Sequence, residues 1–189
     1  VAGAQQFILE KVPAWVQKYG KDSAFFCTND AQTEPLLKQV AKYGAIFVEP
    51  DLPSPLMGYP GAFGIDLKKE AGNWPAIMKK VEKTVVASGG KGRMGTWPYS
   101  YGWSTVCALA EYGKRITEGS AKLYNLKDLR KCYDKYTPGA EWNGAPYYDM
   151  AKQMKIKKFV LVYEDTYVFG RGYMGVTKEK VPEKYIKLK

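Results

Sequence analysis

Residues 23 to 49, SAFFCTNDAQTEPLLKQVAKYGAIFVE, restrict the fold more than any other stretch of the chain. AFFCT (24–28) is a short apolar run bounded by polar residues, the pattern of a buried parallel strand. Asn29 or Asp30 can cap the helix that follows, and Pro35 suits its first turn. Leu36, Leu37, Val40 and Tyr43 recur at helical spacing, and Gly44 stops the helix. AIFVE (45–49) is a second buried run. Strand, helix and strand within ~30 residues make one βαβ unit with a right-handed crossover. The fold class expected is therefore α/β, a Rossmann-like parallel sheet with flanking helices.

The rest of the chain continues the alternation. Residues 4–19 place Ile8, Val12, Trp15 and Tyr19 on one helical face, and Pro13 is expected to kink or restart that helix. PDLPSPLMGYPGAFG (50–64) is a Pro- and Gly-rich loop or crossover. Residues 73–87 predict a helix with Asn73 as cap and Pro75 in its first turn. Residues 103–118 predict another, buried through Val106, Leu109, Ala110 and Ile116. Residues 126–136 predict a shorter helix, 135–146 turns, and YYDMAKQMK (147–155) a further helix. FVLVY, within 157–170, predicts a strand. The domain organisation expected is 1–92 as an α/β core, 93–156 as crossover and helices, and 157–189 as final strand and basic tail.

Histidine is absent, which excludes Ser-His-Asp and Cys-His catalysis, His-ligated zinc and imidazole pH switching. Cys27, Cys107 and Cys132 are too widely spaced for a metal motif, and three cysteines allow at most one intrachain disulfide. The net charge of +10 suggests nucleic acid, but the basic residues are mostly dispersed Lys. Arg, the usual reader of bases and phosphates, occurs only at Arg93, Arg115, Arg130 and Arg171. KIKK (155–158) and KEKVPEKYIKLK (178–189) fit a solvated face and a tail. No nucleic-acid partner is expected. No apolar run reaches the ~20 residues of a membrane span, and no signal peptide is read. The first residue is Val1 rather than Met, as expected of a processed product or a fragment.

Three features bear on function. Gly90, Gly92 and Gly95 satisfy GxGxxG, but a predicted helix precedes them and Trp97-Pro98 follows, so the dinucleotide context fails. No cofactor is expected. In GTWPYSYGWST (95–105), Trp97, Tyr99, Tyr101 and Trp103 alternate before a helix start carrying Ser100, Ser104 and Thr105. Those rings either stack on a sugar or base, with free N–H groups nearby for a polar ligand, or plug one lobe onto another. Acidic residues end the predicted strands: Asp30, then Glu49 and Asp51, then Glu164 and Asp165. Ligands of open parallel sheets bind beyond the carboxyl ends of the strands, so a shared acidic rim is expected there.

FFCTNDAQTEPLLKQ followed by GAIFVE resembles the second lobe of type I periplasmic solute-binding proteins. FFCTNDAQTEPLL, DLPSPLMGYPGAFGIDL and GRMGTWPYSYGWST are similar to a family of bacterial secreted lipoproteins of that fold, itself distantly similar to the basic-membrane-protein and purine-nucleoside-binding group. The resemblance covers most of residues 1–175. It implies a type I periplasmic-binding-protein-like chain: one lobe plus the crossover segments of a two-lobe protein. It implies that Thr28, Asn29 and Asp30 face an interlobe cleft and that Trp97, Tyr99 and Tyr101 stack on ligand near the crossover. The leading expectation is a non-enzymatic, extracytoplasmic solute-binding protein, lipid-anchored as a precursor. It captures a sugar, nucleoside or related polar metabolite for a membrane transporter or sensor. The alternatives are the effector-binding domain of a cytoplasmic transcriptional regulator, with a helix-turn-helix upstream, and a Rossmann-like enzyme.

Overall fold

The computed structural model describes residues 1–51 and 54–175. Residues 52 and 53 of the Pro-rich loop, and the basic stretch 178–189, lie outside the described residues. The chain divides into two units: Val1–Tyr101 with Thr166–Met174, and Gly102–Asp165 with Gly175. It therefore passes from one unit to the other at 101/102, 165/166 and 174/175. Among the described residues no helix is long and apolar enough to cross a membrane.

In the first unit, α1 (Ala2–Tyr19) leads to β1 (Ala24–Phe25), α2 (Asp30–Tyr43) and β2 (Ile46–Phe47). The ends of α2 follow from its sequence. The Asn29 side chain accepts from the Ala31 N–H at 3.0 Å, and Gly44 closes the helix in the left-handed region at φ 68°. Leu36, Leu37 and Val40 are buried as the periodicity predicts. Pro35 lies within the helix, one turn later than expected, and is itself buried. Pro13 likewise lies within a continuous α1, whose buried stripe is Ile8, Val12 and Val16; Tyr19 is exposed. Three apolar residues at four-residue intervals hold α1 together across the hydrogen bond that Pro13 lacks.

After the loop come α3 (Tyr59–Phe63), α4 (Trp74–Val85), capped by Asn73, and β3 (Gly95–Thr96). β6 (Tyr167–Val168) and β7 (Gly172–Tyr173) return to this unit. β1 pairs with β2 in parallel, and a parallel bridge joins Phe47 to Met94 at the start of β3. β3 pairs antiparallel with β6, and β6 with β7. β1-β2 and β3-β6-β7 are small sheets of two-residue strands, joined by that bridge into a mixed arrangement. This corrects the expectation of a Rossmann-like parallel sheet. The βαβ unit forms, but β6 and β7 are joined by a tight turn and pair antiparallel, as hairpin strands must. The class is mixed α/β. One face of the sheet carries the core, in which Phe25, Phe47 and Phe169 meet Ile8, Leu37, Val81 and Val85 of the helices.

The second unit holds most of α5 (Tyr101–Thr117), α6 (Leu126–Tyr136), β4 (Trp142–Asp149) and β5 (Met154–Glu164). FVLVY lies in β5 as predicted, whereas YYDMAKQMK is not helical: Tyr148 pairs with Lys155 and Asp149 with Met154 across a hairpin. Trp142 is fully buried, packs on Tyr133 at 4.2 Å, and donates its indole N–H to Thr137 Oγ1 at 2.8 Å. The buried face of α5 is also not the predicted one. Val106 is 70% exposed and Leu109 50%, while Ser104, Ala108, Glu111 and Tyr112 are buried. Glu111 takes hydrogen bonds from Arg115 at 2.8 Å and Lys135 at 2.9 Å, and the Tyr112 hydroxyl donates to the Lys122 carbonyl at 2.6 Å. Satisfied polar groups, not the apolar stripe, orient this helix.

Candidate binding site at the strand ends

β1 and β2 are parallel, so the segments leaving them, Thr28-Asn29-Asp30 and Glu49-Pro50-Asp51, emerge on the same side of the sheet. The parallel bridge to Met94 sends β3 the same way, and Trp97 follows it. β6, running oppositely, starts from that edge with Thr166 preceding it. The βαβ unit is therefore enough to bring Thr28, Asn29, Asp30, Glu49 and Asp51 to one edge, whereas Glu164 and Asp165, at the end of β5, belong to the other unit.

Side chains then tie the edge together. The Thr166 hydroxyl donates to Glu49 Oε2 at 3.0 Å. The Trp97 indole N–H donates to the Pro50 carbonyl at 2.9 Å, and the Thr96 hydroxyl donates to the Pro55 carbonyl. Tyr59, fully buried, donates its hydroxyl to the Gly95 carbonyl at 2.7 Å. Gly95 itself has no room for a Cβ, because the Val48 carbonyl, just past β2, lies against it. The third glycine of GxGxxG thus serves strand packing, and a strand rather than a helix follows it. That settles the motif as structural.

The predicted site residues fall into distinct environments. Thr28, Asn29 and Asp30 are exposed; Asn29 Oδ1 caps α2, which leaves its amide N–H₂ available. Glu49 and Asp51 are half-buried. Burial pushes the Glu49 carboxyl above its ordinary range, and the Thr166 hydrogen bond partly offsets this. Cys27 is buried beneath the edge; burial first, with the nearby Asp51 charge adding, pushes its thiol up to about 11. Trp97 is buried and its N–H is spent on Pro50, so it plugs the loop onto β3. Tyr99 is half-buried against Trp74, ring centroids 5.6 Å apart, and Tyr101 is half-buried at the start of α5. Of the later acidic pair, Glu164 and Asp165 are both buried, and Asp165 accepts from the Gly175 N–H at 2.7 Å.

Sequence reasoning missed Thr166, Tyr59 and Trp74. Trp74 directly follows the Asn73 cap, which was a usable signal; nothing local marks Thr166, whose role depends on an antiparallel return from far along the chain. The three cysteines are free, and among the described residues no three Cys, Asp or Glu side chains converge on a metal-sized site.

The fold and this edge define a mixed α/β chain whose polar strand exits gather over a capped helix. The chain belongs to the family described as "Protein of unknown function (DUF3798)", whose model matches residues 1–95; a second family model matches residues 106–188. It is similar to two proteins of Treponema pallidum (strain Nichols), each described as "Uncharacterized protein". One is 33% identical over 90 residues, covering 48% of this chain and 39% of the relative. The other is 34% identical over 78 residues, covering 41% of this chain and 88% of the relative. A crystal structure described as a "Putative transcriptional regulator" from Clostridium difficile 630 superposes with a TM-score of 0.68 at 21% identity, over 86% of this chain and 45% of that chain. The chain thus spans less than half the length of the first relative and of that structure. At this identity the likeness shows the fold alone.

Proposed function

We propose that this chain is part of the effector-binding portion of a transcriptional regulator. It binds a small polar metabolite at the strand-end edge without transforming it. The observation that carries the reading is the fold likeness to the Clostridium difficile structure. The gathered edge supports it. Asp30 and the Asn29 amide would pair with ligand hydroxyls or amines, Glu49 and Asp51 would line the floor, and Tyr99 and Tyr101 would supply ring surface. The three crossings between units suit a two-part protein of the type I periplasmic-binding-protein kind, in which binding shifts a hinge. Effector response in such a regulator is then a population shift set by differential affinity.

The extracytoplasmic, lipid-anchored reading draws on the sequence resemblance alone. The enzyme alternative draws on the βαβ unit alone, and the glycines that would have held its nucleotide are occupied with packing.

A thermal-shift screen of metabolites on the full-length gene product is the first test, with Asp30→Ala expected to abolish the response to any hit. Gel-shift with the promoter DNA of its own operon is the second, with the hit expected to change affinity. Absence of any stabilising metabolite overturns the binding reading. Recovery of the product only in a detergent-released membrane fraction, with no DNA affinity, overturns the regulator reading while leaving the site intact.

A further inference from the structure

The sheet of the first unit has two unlike faces. Phe25, Phe47 and Phe169 point into the core, whereas Phe26 is 51% exposed and Val48 39%, on the opposite side. That opposite side holds a cavity of ≈ 460 Å³ within the first unit, inside the range of about 300–1,000 Å³ usual for small-molecule sites. Its walls are Ile46, Val48, Val168 and Met174, with Thr166 at the end nearest the strand exits. At the other end stand Arg93 and Arg171.

The two arginines differ. Arg93 is committed: its guanidinium donates to Asp22 Oδ1 at 2.8 Å, to the Lys21 carbonyl at 2.6 Å and to the Ala45 carbonyl at 3.3 Å. Arg171 makes no side-chain hydrogen bond or ion pair with the described residues. It is exposed and lies across Gly92: a Cβ there would stand 2.6 Å from Arg171 Nε, and φ of 69° already favours glycine.

We propose that this cavity binds a small carboxylate with an apolar tail. The carboxylate takes the Arg171 fork in bidentate fashion, and the tail runs along Ile46, Val48 and Val168 toward Met174. One uncommitted guanidinium matches a monoanion. A neutral ligand of the same shape would cover the cation without pairing it, at a desolvation cost. A multiply charged phosphate would leave negative charge against apolar walls. Thr166 is common to this cavity and the strand-end edge, but Arg171 and the apolar walls take no part in the strand-end site, so neither reading depends on the other.

Isothermal titration of the 189-residue chain with octanoate and with octanol tests this. Saturable octanoate binding is expected, with octanol at least tenfold weaker. Arg171→Gln should weaken octanoate at least tenfold, Arg171→Lys less, and Val48→Glu should remove binding by placing a negative charge on the wall. Circular dichroism of each variant reports folding. No saturable octanoate binding, equal affinity for octanol, or undiminished affinity in folded Arg171→Gln overturns the proposal. If Arg171→Gln does not fold, Val48→Glu and the octanol comparison decide in the same way.

Discussion

Tyr59→Phe is expected to destabilise the first unit by about 1–2 kcal/mol, and to do so through a single hydrogen bond. The Tyr59 ring is fully buried among Phe47, Phe63 and Phe169, with centroids at 5.9, 6.1 and 5.2 Å. Phenylalanine fills the same space, so neither a cavity term nor a change in apolar area enters. What disappears is the 2.7 Å bond to the Gly95 carbonyl, which joins α3 to β3 at the candidate edge. A typical net hydrogen bond contributes about 1 kcal/mol, and leaving a buried carbonyl short of its donor raises the cost toward about 2 kcal/mol. With a urea m-value of about 2 kcal/mol/M, the midpoint should fall by about 0.5–1 M. Tyr59→Ala adds loss of the ring and should cost about 3–5 kcal/mol in all. Urea unfolding followed by far-UV circular dichroism measures both. A Phe variant with an unchanged midpoint would refute the reasoning, as would one as unstable as the Ala variant, since the first denies the hydrogen bond and the second denies that the ring fits its pocket.

Asn29→Ala should cost about 1 kcal/mol by removing the α2 cap, while Asn29→Asp keeps the cap; a ligand affinity lost in the Asp variant at unchanged stability assigns the amide N–H₂ to the ligand. Glu49 has a folded pKa raised above its unfolded value, so its contribution favours the fold at low pH and is lost as pH rises through the raised value. Glu49→Gln, which can still accept from Thr166, should therefore raise the melting temperature near pH 7 and bring no gain near pH 4. Glu111 is the reverse case. Hydrogen bonds from Lys135 and then Arg115 hold it down to about 2, so its stabilisation is present above about 4.5 and disappears as pH falls toward 2. Thermal melts of wild type and Glu111→Gln between those limits should converge at the acid end and separate above it.

The residues that placed the candidate edge were legible because their signals are short-range. Asn29 meets the Ala31 N–H two residues away and Asn73 meets Ala76, so each cap can be read without knowing what else folds nearby. The same holds for Gly44 and for the apolar stripe of α2, and a helix between two buried runs brings their exits to one side. Burial, by contrast, depends on what arrives from elsewhere. Leu109 and Val106 looked like a core stripe, yet Lys135 of α6 reaches Glu111 on another face, and buried charge must be paired before apolar area counts. YYDMAKQMK had helical composition, but it folds back on itself, Tyr148 to Lys155 and Asp149 to Met154, continuing the ladder in which FVLVY pairs with residues 143–146, and cross-strand contacts outweigh so weak a preference. Trp97 reads identically whether it stacks on a ligand or plugs one lobe onto another; that it is buried with its indole N–H on the Pro50 carbonyl at 2.9 Å comes only from the tertiary structure. Local hydrogen-bond geometry and hydrophobic period are thus written in neighbouring residues, whereas the side a residue faces is set by long-range partners competing for it.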